Sequence, residues 1–231
     1  MTLKLIHVGL GGWGMDWQQT ALTTIKDEVE TVAIVEAFAP ALEKARKALK
    51  LKANQCFTTL DEALANAPEA EAVLITAPME AHMPLAMTAM RAGKHVLVEK
   101  PLAGEAQEAV EAIRYAEAHG LILQVSQNYR FYPAPVTAAR MIEEQALGAL
   151  GTVAIDFRQW DNDAEAGTHR HYAFVHALLF DMAIHHMDLM RMVIGSEPVK
   201  VYVQETDPAW SKYVEEASAT MIVTFANGVV V

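Results

Sequence analysis

The sequence predicts an α/β protein in two parts: a doubly wound parallel sheet over residues 1–125, then an α+β domain with an open, mostly antiparallel sheet over residues 126–231. Three observations carry this. Up to Val125, short apolar runs of strand length alternate with helical segments. The first of those runs closes on a glycine cluster, Gly9-Leu10-Gly11-Gly12-Trp13-Gly14, which opens a helical segment. Beyond Ser126 the alternation stops, and aromatic, helical and strand-like stretches follow one another.

Taken in order, Leu3, Leu5, Ile6 and Val8 mark a strand that ends at Gly9. Gly9, Gly11 and Gly14 have Gly-x-Gly-x-x-Gly spacing. In a dinucleotide site the first glycine makes the tight turn, the second admits a pyrophosphate to the backbone, and the third lets the next helix pack close. The motif means little alone, but here a strand precedes it and a helical segment, Trp13 to Ile25, follows. Thr31 to Val35 is the second strand and ends in Glu36, where such a site places an acid for the adenosine ribose hydroxyls. That carboxylate repels a 2′-phosphate and no Arg or Lys follows until Lys44, so NAD is expected rather than NADP.

Pro40 opens a helix to Leu51, Asn54 to Phe57 is a short strand, and Thr59-Leu60-Asp61-Glu62 has capping-box spacing for another helix. Ala72 to Thr76 is the fourth strand, followed by Pro78 and a helix from Glu80 to Ala92 that Gly93 stops. His95 to Val98 is the fifth strand and runs into Glu99, Lys100 and Pro101. Ligands bind at the carboxyl ends of an open parallel sheet, which places Lys100 to do chemistry. By themselves, Glu99 and Lys100 read more readily as the solvated end of a strand that Pro101 stops, and it is the rest of the chain that reverses this. A helix from Glu105 to His119 and a strand from Leu121 to Val125 complete this part.

The second part begins with the aromatic link Asn128-Tyr129-Arg130-Phe131-Tyr132-Pro133 and a helix from Pro135 to Leu147. A strand is expected from Thr152 to Trp160, then a polar loop from Asp161 to His176, a helix from Ala177 to Ile194, and strands at Val199 to Glu205 and Ala219 to Phe225. Asn227-Gly228 is a strong hairpin signal followed by only Val229-Val230-Val231, so a longer parent protein is expected. Within the helix from Ala177, Asp181, His185 and Asp188 recur at four and then three residues, on one face at 3.6 residues per turn. Two carboxylates bracketing an imidazole suit a general base. The same residues also read as a salt-bridged helix face. His169, His171, His185, His186 and Asp188 could also serve as zinc ligands, but no tight pair such as His-Glu-x-x-His supports that, and no metal is expected.

Composition bounds the partners. Over 231 residues, 52% are hydrophobic and 20% charged, and no run is long enough to cross a bilayer, so no membrane partner is expected. A formal net charge of -11 argues against a nucleic-acid partner held by phosphate contacts. The single Cys56 and a strand beginning within a few residues of Met1 lead to the expectation of a cytoplasmic protein.

The glycine turn, Glu36, Thr76-Ala77-Pro78 with His82, the segment Gly93 to Leu102 with Glu99-Lys100-Pro101, Tyr129-Arg130, and Asp181-x-x-x-His185-x-x-Asp188 occur together and in order. In this the chain resembles the Gfo/Idh/MocA oxidoreductases, the group of glucose-fructose oxidoreductase and inositol dehydrogenase. The resemblance implies a Rossmann domain binding NAD through Gly9, Gly11, Gly12, Trp13, Gly14, Glu36, Thr76, Pro78, His82, Glu99 and Lys100. It implies Lys100 as the active-site lysine with Asp181 and His185 as its partners, and a homodimer or homotetramer formed through the C-terminal sheet. Departures are Ala183, where a glycine is usual, and the lack of the usual glycines in His176 to Phe180.

The reaction expected is hydride transfer between the nicotinamide and a secondary alcohol of a sugar, cyclitol or related polyol. In it His185 takes the proton, Lys100 donates to the developing alkoxide, and Asp181 holds the hydroxyl or the imidazole. Arg158, Trp160, His169, Arg170, His171 and Tyr172 supply aromatic and hydrogen-bonding groups that suit a polyol, and the same stretch reads equally as a mobile surface loop. Two rivals stand beside this reading: a noncatalytic NAD-binding sensor, which has no need of Lys100 and His185, and a methyltransferase, which has no need of Glu99-Lys100-Pro101.

Overall fold

The structure, a computed structural model, describes residues 2–160, 162 and 176–231. They fall into two compact units, Met1–Ser126 and Gln127–Val231.

The first unit runs β1 (Leu3–Val8), α1 (Gly12–Gln19), α2 (Ala21–Thr24), β2 (Val29–Val35), α3 (Ala39–Leu49), β3 (Cys56–Phe57), α4 (Leu60–Asn66), β4 (Ala72–Ile75), α5 (His82–Arg91), β5 (His95–Val98), α6 (Ala106–Ala118) and β6 (Leu123–Val125). Its strands form one parallel sheet in the order β3-β2-β1-β4-β5-β6, so the winding reverses between β1 and β4. Helices cover both faces, which is why the strands read as near-continuous apolar runs. Ile6, Val8, Val73, Ile75, Val96 and Val98 point to one face, against Ala86, Ala89 and Met90 of α5 and Ala112 and Ala116 of α6. The alternate residues Leu5, Ala72 and Leu74 point to the other and meet Leu22. The alanines let α5 and α6 approach closely.

Register is what builds a site from this sheet. Val8 pairs with Val35 and with Ile75, Ile75 with Val98, and Val35 with Phe57. The residues one step further on, Gly9, Glu36, Thr76 and Glu99, therefore stand on a single rung at the carboxyl ends. Four amides fix that rung: Gly9 N donates to Val35 O at 2.9 Å, Glu36 N to Phe57 O at 3.1 Å, Thr76 N to Val8 O at 2.8 Å and Glu99 N to Ile75 O at 2.9 Å.

Local chemistry adjusts the expected elements. The helix expected from Trp13 to Ile25 breaks at Thr20, whose hydroxyl donates to Asp16 O at 2.7 Å; the Thr23 and Thr24 hydroxyls likewise bond carbonyls of the preceding turn. Thr59 caps α4 as its spacing predicts, accepting from Glu62 N at 3.3 Å. The strand expected from Asn54 begins at Cys56, because Ala53–Gln55 form a 3-10 turn.

The second unit contains a 3-10 turn (Asn128–Phe131), α7 (Pro133–Glu143), a π-helical turn (Leu179–Ala183), α8 (Ile184–Ile194), and the antiparallel pair β7 (Pro198–Thr206) and β8 (Ser218–Phe225). Met190 and Ile194 of α8 pack on Val223 and Phe225 of β8. The Asn227-Gly228 turn forms with Gly228 at φ 87°, and Val229–Val231 double back so that Val223 and Val231 exchange hydrogen bonds of 2.8 and 2.9 Å. The strand expected from Thr152 to Trp160 is not one. Among the described residues its pairing is an isolated bridge: Thr152 bridges Val230, and Val153 N donates to Val230 O at 2.9 Å. Of the loop expected to contact substrate, Arg158 pairs with Asp156 at 2.9 Å and Trp160 stacks on Trp210, while His169, Arg170, His171 and Tyr172 lie outside the described residues.

Candidate active site

The glycine turn is shaped by close backbone approach. Gly9 has φ 91°, and a Cβ there would lie 2.5 Å from Ala77 N. A Cβ on Gly14 would lie 1.8 Å from Gly9 O and 2.6 Å from Thr76 Oγ1, so β1 and α1 meet at van der Waals contact only without one. Around Gly11 and Gly12 no atom lies within 4 Å of such a carbon, which leaves room for a ligand against the backbone. Gly12, Trp13 and Gly14 open α1, where first-turn N–H groups have no intrahelical acceptor and attract anions.

Glu36 is held at both oxygens, with Oε2 accepting from Leu10 N at 2.8 Å and Oε1 from Phe38 N at 2.9 Å. Gly9, Glu36, Ala77 and Pro78 line one recess of about 540 Å³, together with Thr59 and Leu85. A recess of this size, an acid at its wall, open backbone at Gly11 and the α1 N-terminus form a donor and acceptor set that fits an adenosine diphosphate group.

Beside it stand the loops after β4 and β5. His82 is buried, its Nδ1 2.7 Å from Pro101 O and its Nε2 2.8 Å from Ala77 O. Its nitrogens are thus engaged with backbone, and it ties the loop carrying Lys100 to the loop carrying Pro78. Glu99 is only 7% exposed and its carboxylate accepts from Trp17 Nε1 at 2.8 Å and from Lys100 N at 3.2 Å. Sequence reasoning missed Trp17: it lies 82 residues from Glu99, and a tryptophan on a helix next to a sheet reads as core.

In the second unit the imidazole of His185 is 5% exposed, stacks on Tyr129 with ring centroids 4.2 Å apart, and has Nδ1 2.9 Å from Gln127 Oε1. A carbonyl oxygen only accepts, so Nδ1 donates to it. Asp181 lies in the π-helical turn Leu179–Ala183 that leads into α8, and Asp188 pairs with Arg130 at 2.8 Å. His186 is turned away toward Met182 O and Phe157.

Comparison with known proteins gives this arrangement a family. Residues 4–127 match the profile described as oxidoreductase family, NAD-binding Rossmann fold, and residues 136–231 match the GFO/IDH/MocA C-terminal domain. The chain is 32% identical over 234 residues to the uncharacterized protein y4oX of Sinorhizobium fredii, covering 99% of this chain and 64% of that one. It is 28% identical over 174 residues to an inositol 2-dehydrogenase of Rhizobium meliloti, covering 75% of this chain and 50% of the relative. Among solved structures, a putative myo-inositol dehydrogenase from Sinorhizobium meliloti superposes with a TM-score of 0.82 at 26% identity, over 99% of this chain and 68% of that one. The chain thus spans less than two thirds of these curated relatives. With both of its parts matched by the corresponding profiles, the chain belongs to the GFO/IDH/MocA oxidoreductase family and carries that family's NAD-binding Rossmann fold.

Proposed function

We propose that the protein is an NAD-dependent dehydrogenase acting on a secondary alcohol of a sugar, cyclitol or related polyol. The observation that carries this reading is the common rung: the glycine turn, the acid Glu36 and the segment leading to Lys100 emerge side by side at the carboxyl edge of the sheet. The similarity to an inositol 2-dehydrogenase supports the substrate class.

When bound, NAD supplies the hydride acceptor. The chain's own residues do the rest. Gly11 and the first turn of α1 hold the pyrophosphate, and Glu36 holds the adenosine ribose and disfavours a 2′-phosphate. Lys100, its backbone anchored on the Glu99 carboxylate, donates to the oxygen on which negative charge develops. His185 takes the hydroxyl proton at Nε2, with Gln127 and Tyr129 holding the ring. Asp181 positions the substrate hydroxyl. Assembly through the β7–β8 sheet belongs to the same reading, supported by the exposed Val199, Val201 and Tyr202 of β7.

The test is a panel of inositols and sugars with NAD, read at the nicotinamide absorbance, in wild type and Lys100→Ala. Turnover should fall by about 10² to 10³ in the variant, while the NADH dissociation constant stays within about threefold. Unchanged turnover would remove Lys100 from catalysis, and a wild type inert on every polyol would remove the substrate class.

A further inference from the structure

A histidine stands where the apolar run of β1 gives no reason for one. His7 lies between Ile6 and Val8, has no exposed surface, and points to the sheet face opposite theirs. A valine there would suit a buried strand at least as well. The polar atoms around His7 form a continuous chain. Its Nε2 is 2.8 Å from Thr76 Oγ1, its Nδ1 is 2.8 Å from Gln18 Nε2, and Gln18 Nε2 also donates to Thr31 Oγ1 at 3.1 Å. Thr76 Oγ1 in turn lies 2.6 Å from Gly9 O.

The direction of every proton in this chain follows from its end. The Gly9 carbonyl can only accept, so the Thr76 hydroxyl spends its one hydrogen there. Thr76 Oγ1 must then accept from His7, which places the imidazole proton on Nε2 and leaves Nδ1 to accept from the Gln18 amide. A second ring proton would face that amide's N–H, and burial pushes the His7 imidazole down to about 3, so the ring stays neutral at physiological pH.

What the chain holds is the peptide between Gly9 and Leu10. That unit is planar, so fixing the carbonyl on Thr76 also aims the opposite N–H. It is Leu10 N that donates to Glu36 Oε2 at 2.8 Å. One side chain under the sheet therefore sets two elements of the nucleotide site at once, the glycine turn and the ribose acid.

We propose that His7 is a positioning residue for the cofactor: a neutral imidazole, fixed as the Nε2–H tautomer, that locks Thr76 onto the Gly9 carbonyl and thereby presets the turn and Glu36 for the dinucleotide. This rests on the nucleotide site described above.

The experiment measures NADH binding by fluorescence and ADP-ribose binding by calorimetry in wild type, His7→Leu, His7→Gln and Thr76→Val, with melting curves to confirm folding. His7→Leu should raise both dissociation constants about tenfold, because both ligands carry the pyrophosphate and the adenosine ribose. His7→Gln, which can still donate to Thr76 and accept from Gln18, should return both to within about threefold of wild type. Thr76→Val keeps the shape, removes only the hydroxyl, and should lose about as much as His7→Leu; it decides the matter if His7→Leu does not fold. Wild-type affinity in His7→Leu or in Thr76→Val overturns the proposal, as does a His7→Gln variant no better than His7→Leu. A wild type that binds neither ligand overturns the nucleotide site itself, a different and separately visible failure.

Discussion

Gly11 and Gly14 belong to one motif, yet the structure assigns them different physical jobs, and alanine at each should separate those jobs. At Gly14 an added methyl would meet Gly9 O at 1.8 Å and Thr76 Oγ1 at 2.6 Å. Gly9 has no room to retreat, since its own Cα side faces Ala77 N, where a Cβ would be at 2.5 Å. Overpacking against fixed backbone costs about 1–3 kcal/mol, and this clash belongs at the upper end. In a chain of 231 residues, about 3 kcal/mol lowers the melting temperature by roughly 6–12 °C. At Gly11 the same methyl meets nothing within 4 Å, and the backbone, at φ -65°, is one alanine tolerates. The protein should lose only a helix-cap preference, about 0.5 kcal/mol or roughly 1–2 °C. The methyl would, however, occupy the space through which a pyrophosphate reaches the N–H groups. Losing one charge-assisted hydrogen bond costs about 1.5–3 kcal/mol, a roughly 10- to 150-fold loss of NADH affinity. Scanning fluorimetry and an NADH titration on both variants measure this. A Gly11→Ala protein that binds NADH as wild type does, or a Gly14→Ala protein that melts as wild type does, would refute the reasoning.

Trp17→Phe keeps the ring but removes the indole donor from the buried Glu99 carboxylate. Stability should fall by about 1.5–3 kcal/mol, and an unchanged urea midpoint would show that the bond contributes nothing. His7 gives a pH dependence of definite sign. Its folded value of about 3 lies below the 6.5 of the unfolded chain, so between those values the unfolded state binds more protons and stability drops as pH falls. By pH 5 this term is about 2 kcal/mol, and His7→Gln should lose about that much less than wild type between pH 7 and pH 5 in urea unfolding. Gln127→Glu places a carboxylate on His185 Nδ1, which favours the imidazolium. The acid limb of the kcat/KM profile should rise by about one pH unit, and an unmoved limb would remove His185 as the base.

Periodicity and glycine spacing determined much of this protein. The sequence predicts the parallel sheet of the first unit and its winding reversal follows in the structure, because each buried strand and each helix declares in its own residues which sides are apolar. Glu36 and Lys100 were legible for the same reason, each following a strand whose end the pattern marks. The Thr59 cap and the Asn227-Gly228 turn were legible because they are decided within a few residues. Only the tertiary structure decided which polar groups meet. Nothing within one segment says that Trp17 will find Glu99, that His7 will find Gln18 and Thr76, or that Gln127 will meet His185. Nor does local pattern say that, among the described residues, the Thr152–Trp160 segment pairs only through an isolated bridge to Val230. Local sequence encodes which face of an element is buried, whereas a hydrogen bond between two elements depends on their relative placement to a few tenths of an ångström, and that is set by packing of the whole unit.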